Sequence, residues 1–319
     1  MDYAKPTVRP EIGVFHAFSH VTFWVGNAKQ AATFYATRFG FEHLAYQGLE
    51  TGHRDFACHV VKNGDVKFAF KTPLQPSDGT DEFTRHLAKH GDGVKDVAFL
   101  VDDSAGIYNK AVSRGAASVS EPQTLKDEHG SVIVSTVRTY GDTTHTFVQN
   151  VDYNGPFLPG FVAHPYVDPL AKLLPAPEML FIDHCVGNQA DGEMEPVASW
   201  YEKMLDFHRF WSVDDKMLHT EYSALRSIVV ADFDENVKMP INEPAPGKRK
   251  SQIQEYVDFY GGAGVQHIAL RTDDIITAIQ RMKARGNEFL TIPDSYYDGL
   301  RKRLEACGTK VAEDLDTIQ

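Results

Sequence analysis

The sequence is poor in cysteine and in runs of one charge sign, and it has no long apolar stretch. Its three cysteines, Cys58, Cys185 and Cys307, are odd in number and share no metal-type spacing, so the simplest interpretation is that they are reduced thiols in the cytoplasm. No apolar run approaches a membrane span. The net charge of -12, with no basic run longer than 248–250, argues against a nucleic-acid partner.

What is present is typical of a globular protein with a substantial core. The chain is 42% hydrophobic and 24% charged, and a length of 319 residues predicts two domains. In the first half, periodicity predicts strand 18–25, helix 28–39, strands 42–46, 56–62 and 66–72, helix 80–90, strand 94–101, helix 103–114 and a hairpin of 132–140 with 144–151. The dipeptide Asn63-Gly64 predicts a tight turn between two of these strands.

The element order then restarts after a proline-rich stretch. Residues 156–178 predict a linker between a first module, 1–155, and a second module, 179–319. The second module begins with strand 180–186 and helix 196–205. Further predictions are strands 207–212, 219–225 and 226–231, a helix or turn 253–261, strand 264–271, and helices 274–285 and 296–307.

An internal repeat supports this division. Residues 93–98 match residues 264–269 at a shift of 171, from 93 to 264, and the same shift maps Arg114-Gly115 onto Arg285-Gly286. Ser19-His20-Val21 resembles Asp183-His184-Cys185 at a shift of 164, from 19 to 183. So many matches in nearly one register indicate two duplicated modules.

The two copies differ at residues that could carry chemistry. The second module has His184 and His267 in separate predicted strands, whereas the first has His20 and, in place of the second histidine, Asp96. Two imidazoles suit iron or zinc, and with one carboxylate they form a triad that leaves open positions for substrate and oxygen. We interpret His184 and His267 as metal ligands. We interpret His20 as a histidine without a ligand role.

Several longer strings resemble the 4-hydroxyphenylpyruvate dioxygenase family, in particular its animal form. In the second module these strings are 184–188, 207–215, 239–244, 252–256 and 261–269; in the first module they are 21–28 and 141–146. The resemblance runs from about residue 16 to the end of the chain. Without it, Ser227 would be interpreted as a locally bonded strand hydroxyl, and Asn242 and Gln252 as solvated loop amides.

The resemblance implies an α+β fold of two vicinal-oxygen-chelate modules built from paired βαβββ units, with an open or incomplete barrel around one Fe(II) in the second. It implies that His184 and His267 bind the iron. It also implies substrate contacts by four polar residues: Ser227, Asn242, Gln252 and Gln266. Gln266 points away from His267 in an ideal strand, so its role requires a local twist or an indirect position. The implied reaction converts 4-hydroxyphenylpyruvate and O2 into homogentisate and CO2 in tyrosine and phenylalanine catabolism.

The end of the chain departs from the family. The family's third iron ligand is a glutamate on a strand that we expect beyond residue 319, so we expect the second module to lack its last strands and C-terminal helix. The exposed sheet edge predicts lower stability and association. The family also suggests a homodimer formed through a metal-free first module. Two alternatives stay open: an oxygenase of the 4-hydroxymandelate synthase type, and an inactive product that only binds a ligand or partner.

Overall fold

The computed structural model describes residues 3–11, 13–213 and 224–318. The strands of the first module are β1 (Phe15–Trp24), β2 (Glu42–Gln47), β3 (Phe56–Asn63), β4 (Val66–Pro73), β5 (Gly93–Val101), β6 (Ser118–Asp127), β7 (Gly130–Arg138) and β8 (Thr144–Asn150). Its helices are α1 (Ala28–Phe39), α2 (Glu82–His90) and α3 (Ser104–Ser113). A short strand, β9 (Val162–Ala163), follows in the predicted linker.

The first module supplies eight strands of a nine-stranded sheet in the order β6-β7-β8-β5-β1-β4-β3-β2-β9, and the predicted linker supplies the edge strand β9. Strand β1 pairs in parallel with β4, and β5 pairs in parallel with β8, while β1 and β5 are antiparallel neighbours. This arrangement consists of two βαβββ units joined side by side. The predicted paired-unit architecture is therefore confirmed for this module.

Local signals in the sequence fix the first of these units. The Asn27 side chain accepts a hydrogen bond from the backbone N–H of Gln30 at 3.0 Å, which caps helix α1. Gly40 ends the helix with a φ of 67°, in the left-handed region that favours glycine. Strands β3 and β4 form the predicted hairpin, with Gly64 at a φ of 58° in its turn.

The second module repeats the plan in strands β10 (Ile182–Asn188), β11 (His208–Val213), β12 (Ala224–Ala231), β13 (Lys238–Ala245) and β14 (Gly264–Leu270). Its helices are α4 (Met194–Leu205), α5 (Gln252–Tyr260), α6 (Ile275–Ala284), α7 (Asp294–Cys307) and α8 (Leu315–Ile318). The sheet order is β11-β12-β13-β10-β14. In the described part of the chain β14 pairs only with β10, whereas its repeat counterpart β5 lies between β1 and β8.

The two modules share one hydrophobic core. Phe15 packs edge-on against Phe207 with ring centres 5.0 Å apart, and His145 Nε2 lies 2.7 Å from the hydroxyl oxygen of Tyr201. Gly187 of β10 faces this interface, because a Cβ atom there would lie 2.5 Å from Cζ of Tyr140. Side chains alternate along a strand, so His184, Val186 and Asn188 of β10 lie on the sheet face turned away from the first module.

Three strands of the structure, β6, β9 and β13, have no counterpart in the sequence prediction. Strand β13 contains Pro240 and Pro244, which are unfavourable in a strand and hide it from a propensity analysis. Of the predicted strand 219–225, residues 219–223 lie outside the described residues, and the predicted strand 226–231 is part of β12. None of the helices in the described residues combines the length and the apolar character that a membrane crossing requires.

Candidate active site

His184 and His267 lie side by side on the face turned away from the first module. The register of β10 against β14 pairs Val186 with His267 and His184 with Ala269, so the two histidines are diagonal neighbours. Their ring centres are 5.7 Å apart, with 72° between the ring planes. Two imidazoles that bind one ion through nitrogens at about 2.1 Å have ring centres about 4.6–5.6 Å apart for angles of about 90–120° at the ion, and the observed separation lies at the upper end of this range. The predicted pair of ligands is therefore close enough to share an ion.

Each histidine directly follows the extra residue of a β-bulge. The register between β10 and β14 shifts by one residue at Asp183 and again at Gln266. A bulge releases the extra side chain from strict alternation, so it can reach its neighbour in the chain. Asp183 Oδ2 lies 2.7 Å from Nδ1 of His184, and Gln266 Oε1 lies 3.1 Å from Nδ1 of His267. The bulge supplies the local twist that a contact between Gln266 and His267 requires.

These contacts determine which ring nitrogen remains for a metal. When Nδ1–H donates to the neighbouring oxygen, Nε2 carries the lone pair. His267 is exposed to solvent, but partial burial of its ring, and next the nearby His184, lower its pKa, which favours the neutral ring that binds metals. Burial alone would raise the pKa of Asp183, but the hydrogen bond from His184 and the charge of Lys238 bring it below its ordinary value. Asp183 is therefore an ionised acceptor at neutral pH.

The first module has the same bulges. Strand β1 shifts its register against β5 at Ser19 and at Lys95, which the repeat maps onto Asp183 and Gln266. Ser19 Oγ lies 3.1 Å from Nδ1 of His20, so the contact between a bulged residue and the histidine after it is also repeated. The bulges are thus a property of the duplicated scaffold.

The corresponding location in the first module is filled by the protein itself. Asp96 accepts hydrogen bonds from the hydroxyls of Thr144 and Thr146 at 2.6 and 2.9 Å. The ring of Phe157 packs edge-on against His20 with centres 4.9 Å apart. Burial, aided by Lys67, lowers the pKa of His20 to about 3. His20 is therefore a neutral, enclosed histidine, whereas His267 is exposed to solvent.

A second feature of the His184 face is a row of buried side chains, Ser227, Asn242 and Asn188, which we name the polar row. Ser227 of β12 pairs with Asn242 of β13, and Asn242 pairs with Asn188 of β10. Their exposed fractions are 6%, 8% and 0%, and Asn242 Nδ2 donates to Asn188 Oδ1 at 3.4 Å. Asn188 follows His184 by four residues, which puts the polar row on the same face, about 13 Å along the strand.

The structure places the remaining predicted residue differently. Gln252 is the first residue of helix α5, which packs on β13, β10 and β14, and it is exposed. Asn242 is buried on a central strand and is therefore not the solvated loop amide that it would be taken for without the family resemblance. The structure thus brings His184, His267 and Gln266 together in one cluster. It places Ser227 and Asn242 in a second cluster, the polar row. Gln252 lies at the solvent boundary.

The histidine pair supplies two donors of the kind that the family's iron would use. Neutral imidazoles bind Fe(II), and two of them beside a solvent-accessible face leave positions for other ligands. Among the residues that the structure describes, no group of three or more histidine, cysteine, aspartate or glutamate side chains is arranged to hold a metal ion. The two imidazoles therefore fit iron in their chemistry.

Two residues of this site escape sequence reasoning. Asp183 was visible only as the residue before a histidine, and its contact with His184 depends on a bulge that no periodicity predicts. Asn188 ends strand β10, where an amide is usually interpreted as a turn residue. The repeat offered one signal, because Ser19 precedes His20 as Asp183 precedes His184.

The fold and the site define the class of this protein. The model of the Glyoxalase/Bleomycin resistance protein/Dioxygenase superfamily matches residues 17–146 and 181–316, one match in each module. Proteins named 4-hydroxyphenylpyruvate dioxygenase from Tetrahymena thermophila and Danio rerio are 60% and 56% identical to this chain over 98% and 99% of its length. The chain belongs to the 4-hydroxyphenylpyruvate dioxygenase family. It spans 78% and 80% of the length of these two relatives.

Solved structures share this fold. A mutant of 4-hydroxymandelate synthase from Streptomyces coelicolor superposes with a TM-score of 0.76 at 26% identity, covering 92% of this chain and 81% of that one. A fusion of a xylose isomerase-like TIM barrel with 4-hydroxyphenylpyruvate dioxygenase gives a TM-score of 0.63 at 17% identity, covering 97% of this chain and 44% of that one. The second likeness shows the fold alone.

Proposed function

We propose that this protein converts 4-hydroxyphenylpyruvate and O2 into homogentisate and CO2 with the help of Fe(II), in the breakdown of tyrosine and phenylalanine. Family membership supports the reaction, and the facing pair His184 and His267 is the observation that supports the metal. The iron, when bound, would supply the chemistry with dioxygen. The protein contributes binding, orientation and exclusion of water.

The proposed metal ligands are Nε2 of His184 and Nε2 of His267. Asp183 and Gln266 would hold the two rings in the orientation that the structure shows, with Nδ1 engaged and Nε2 free. The carboxylate and keto oxygens of a 2-oxo acid are suitable further ligands at the open positions. In this proposal the third protein ligand is a carboxylate, as the family resemblance implies.

The polar row is placed to recognise the other end of the substrate. From ordinary bond lengths, 4-hydroxyphenylpyruvate spans about 7–8 Å between its keto and phenol oxygens. Two metal–ligand bonds of about 2 Å each bring the total to about 11–12 Å, and the roughly 13 Å that separates Asn188 from His184 along β10 is of similar size. Buried hydroxyl and amide groups can donate to and accept from a phenol without adding charge. Ser227 and Asn242 are therefore suited to hydrogen-bond the ring hydroxyl of the substrate. Gln252 is exposed to solvent and could contact the substrate only from the outer edge of the site.

The proposal is tested by metal binding and product analysis. Replacing His184 or His267 by alanine should weaken Fe(II) binding at least about 100-fold, since each removes a direct ligand. His20→Gln is the matched control, because it alters the repeat-equivalent histidine and should leave Fe(II) affinity unchanged. The parent chain is then incubated with Fe(II), ascorbate, O2 and 4-hydroxyphenylpyruvate. Equal Fe(II) affinity in the parent and both alanine variants would refute the metal assignment.

The same assay separates the alternatives. The structural similarity to 4-hydroxymandelate synthase favours that reaction as a second candidate, and its product would be 4-hydroxymandelate in place of homogentisate. Substrate binding without either product would identify a protein that only binds its ligand.

We further propose a cytoplasmic location and a homodimer. The free cysteines Cys58 and Cys185, both buried, support a reducing compartment. The family resemblance supports the homodimer, with contacts through the first module. Sedimentation of the purified protein would give its mass in solution, and a monomer at micromolar concentration would contradict the second proposal.

A further inference from the structure

The most informative group that the proposed reaction does not use is the amide of Asn188. Its side chain has no exposed surface, and its Nδ2 has no hydrogen-bond partner among the described residues. Burying such a donor unpaired costs about 1–3 kcal/mol. A residue retained at that cost, inside the polar row and on the face of the candidate site, points to a function in ligand recognition.

The contact of Asn188 with Asn242 indicates what that function is. Asn242 Nδ2 donates to Asn188 Oδ1, so the amide of Asn242 turns its own Oδ1 away from Asn188. An amide held in this way offers an acceptor to a hydroxyl group of the ligand. Without Asn188, the Asn242 amide could rotate and present either its oxygen or its nitrogen. Asn188 would therefore act through Asn242.

We propose that Asn188 is a positioning residue, which orients Asn242 and thereby lets the protein prefer aryl pyruvates with a para-hydroxyl group over those without one. This inference rests on the proposed function, because it takes Asn242 as the residue that meets the phenol. Recognition of a hydroxyl by a prearranged buried acceptor gives stronger discrimination than a hydrophobic pocket of the same shape.

The test compares the binding of 4-hydroxyphenylpyruvate and phenylpyruvate under nitrogen with Fe(II) present. The parent protein should bind the hydroxylated compound at least about tenfold more tightly. Asn188→Leu should reduce this preference about five- to tenfold, which is the loss expected for one oriented hydrogen bond. In an Asn242→Leu background, the same change at 188 should have no further effect on the preference, because the residue it acts through is gone.

The neighbouring residue offers a matched control. Gln189 is 2% exposed, and its Nε2 also lacks a partner in the described part of the chain, but it is not part of the polar row. Both Asn188→Leu and Gln189→Leu remove a buried, unpaired donor. Asn188→Leu also takes the acceptor Oδ1 away from Asn242, so urea unfolding should show it to be the less stable of the two variants by about 1 kcal/mol. Only Asn188→Leu should change the preference for the hydroxyl. Asn188→Ala gives the same comparison if leucine prevents folding.

The outcomes separate this inference from the proposed function. A parent protein that prefers the hydroxylated compound, with an Asn188 variant that keeps the preference, would overturn the inference alone. An equal loss of affinity for both compounds in Asn188→Leu would also overturn it, since that result indicates a structural role only. A parent protein that binds neither compound would overturn the proposed function and the inference with it.

Discussion

A buried carboxyl in the first module makes the stability of this protein depend on pH in a defined direction. Asp96 is 8% exposed, and burial raises its pKa from 3.8 to about 6 despite hydrogen bonds from Thr144 and Thr146. The perturbation we consider is Asp96→Asn. It removes the ionisable group but keeps an oxygen that both threonine hydroxyls can donate to.

The magnitude follows from the two pKa values. The folded-state pKa lies above the unfolded one, so the folded protein binds more protons between about pH 4 and pH 6. Stability from this group is therefore present below about pH 4 and is lost as the pH rises through about 6. The difference between 3.8 and about 6 corresponds to about 3 kcal/mol. At pH 8 the Asn variant should be more stable than the parent by about 1–3 kcal/mol, because its Nδ2 offsets part of the gain if it finds no acceptor.

Urea unfolding at pH 4 and at pH 8 measures this effect. The difference in unfolding free energy between variant and parent should shift by about 2–3 kcal/mol in favour of the variant between the two pH values. Asp65→Asn is the control, since Asp65 is exposed and its replacement should change stability by less than about 0.5 kcal/mol at either pH. A difference that is independent of pH would refute the reasoning, as would an Asn variant that is less stable at pH 8.

Two further predictions concern the site and the interface between the modules. Asp183→Ala should weaken Fe(II) binding about 10- to 100-fold, because the ring of His184 is no longer held in place. Asp183→Asn keeps an acceptor oxygen and should lose less Fe(II) affinity. Calorimetry that gives the parent and Asp183→Ala equal Fe(II) affinity would contradict this prediction. Tyr201→Phe should lower the free energy of unfolding by about 1–3 kcal/mol, because Nε2 of the buried His145 loses its partner, and an unchanged urea midpoint would show that this hydrogen bond contributes nothing.

The repeat made the architecture predictable from the sequence. Once residues 93–98 and 264–269 were aligned, two modules of the same kind followed, and the family resemblance implied paired βαβββ units, a fold class that the structure confirms. The juxtaposition of His184 and His267 could be predicted in the same way, since the aligned strands are neighbours in any such sheet. The diagonal offset between these two histidines could not be predicted, because it depends on where the register between β10 and β14 shifts.

Strand β13 shows why other parts of the site could not be predicted. Its ladder with β10 has pairs at Lys238, Ile241 and Asn242 and none at Pro240, which has no N–H to donate. A segment of this composition is accepted as a strand only because β12 and β10 flank it on both sides. The amide of Asn242 therefore gained its buried position from tertiary packing, and the polar row could be recognised only from the sheet register.

The two modules differ in whether a side chain covers the sheet face beside the histidine, and this difference, together with the identity of the ligand residues, decides where a metal can bind. Both modules have the bulges, but Phe157 covers the position in the first module. In a His184→Ala background, Asp96→His should therefore bind no Ni(II). Asp96→His combined with Phe157→Ala should bind Ni(II) at micromolar concentrations, since it would expose a pair made with His20. Calorimetry with Ni(II) gives the answer. Binding by Asp96→His without the change at Phe157 would show that covering the face does not control metal access.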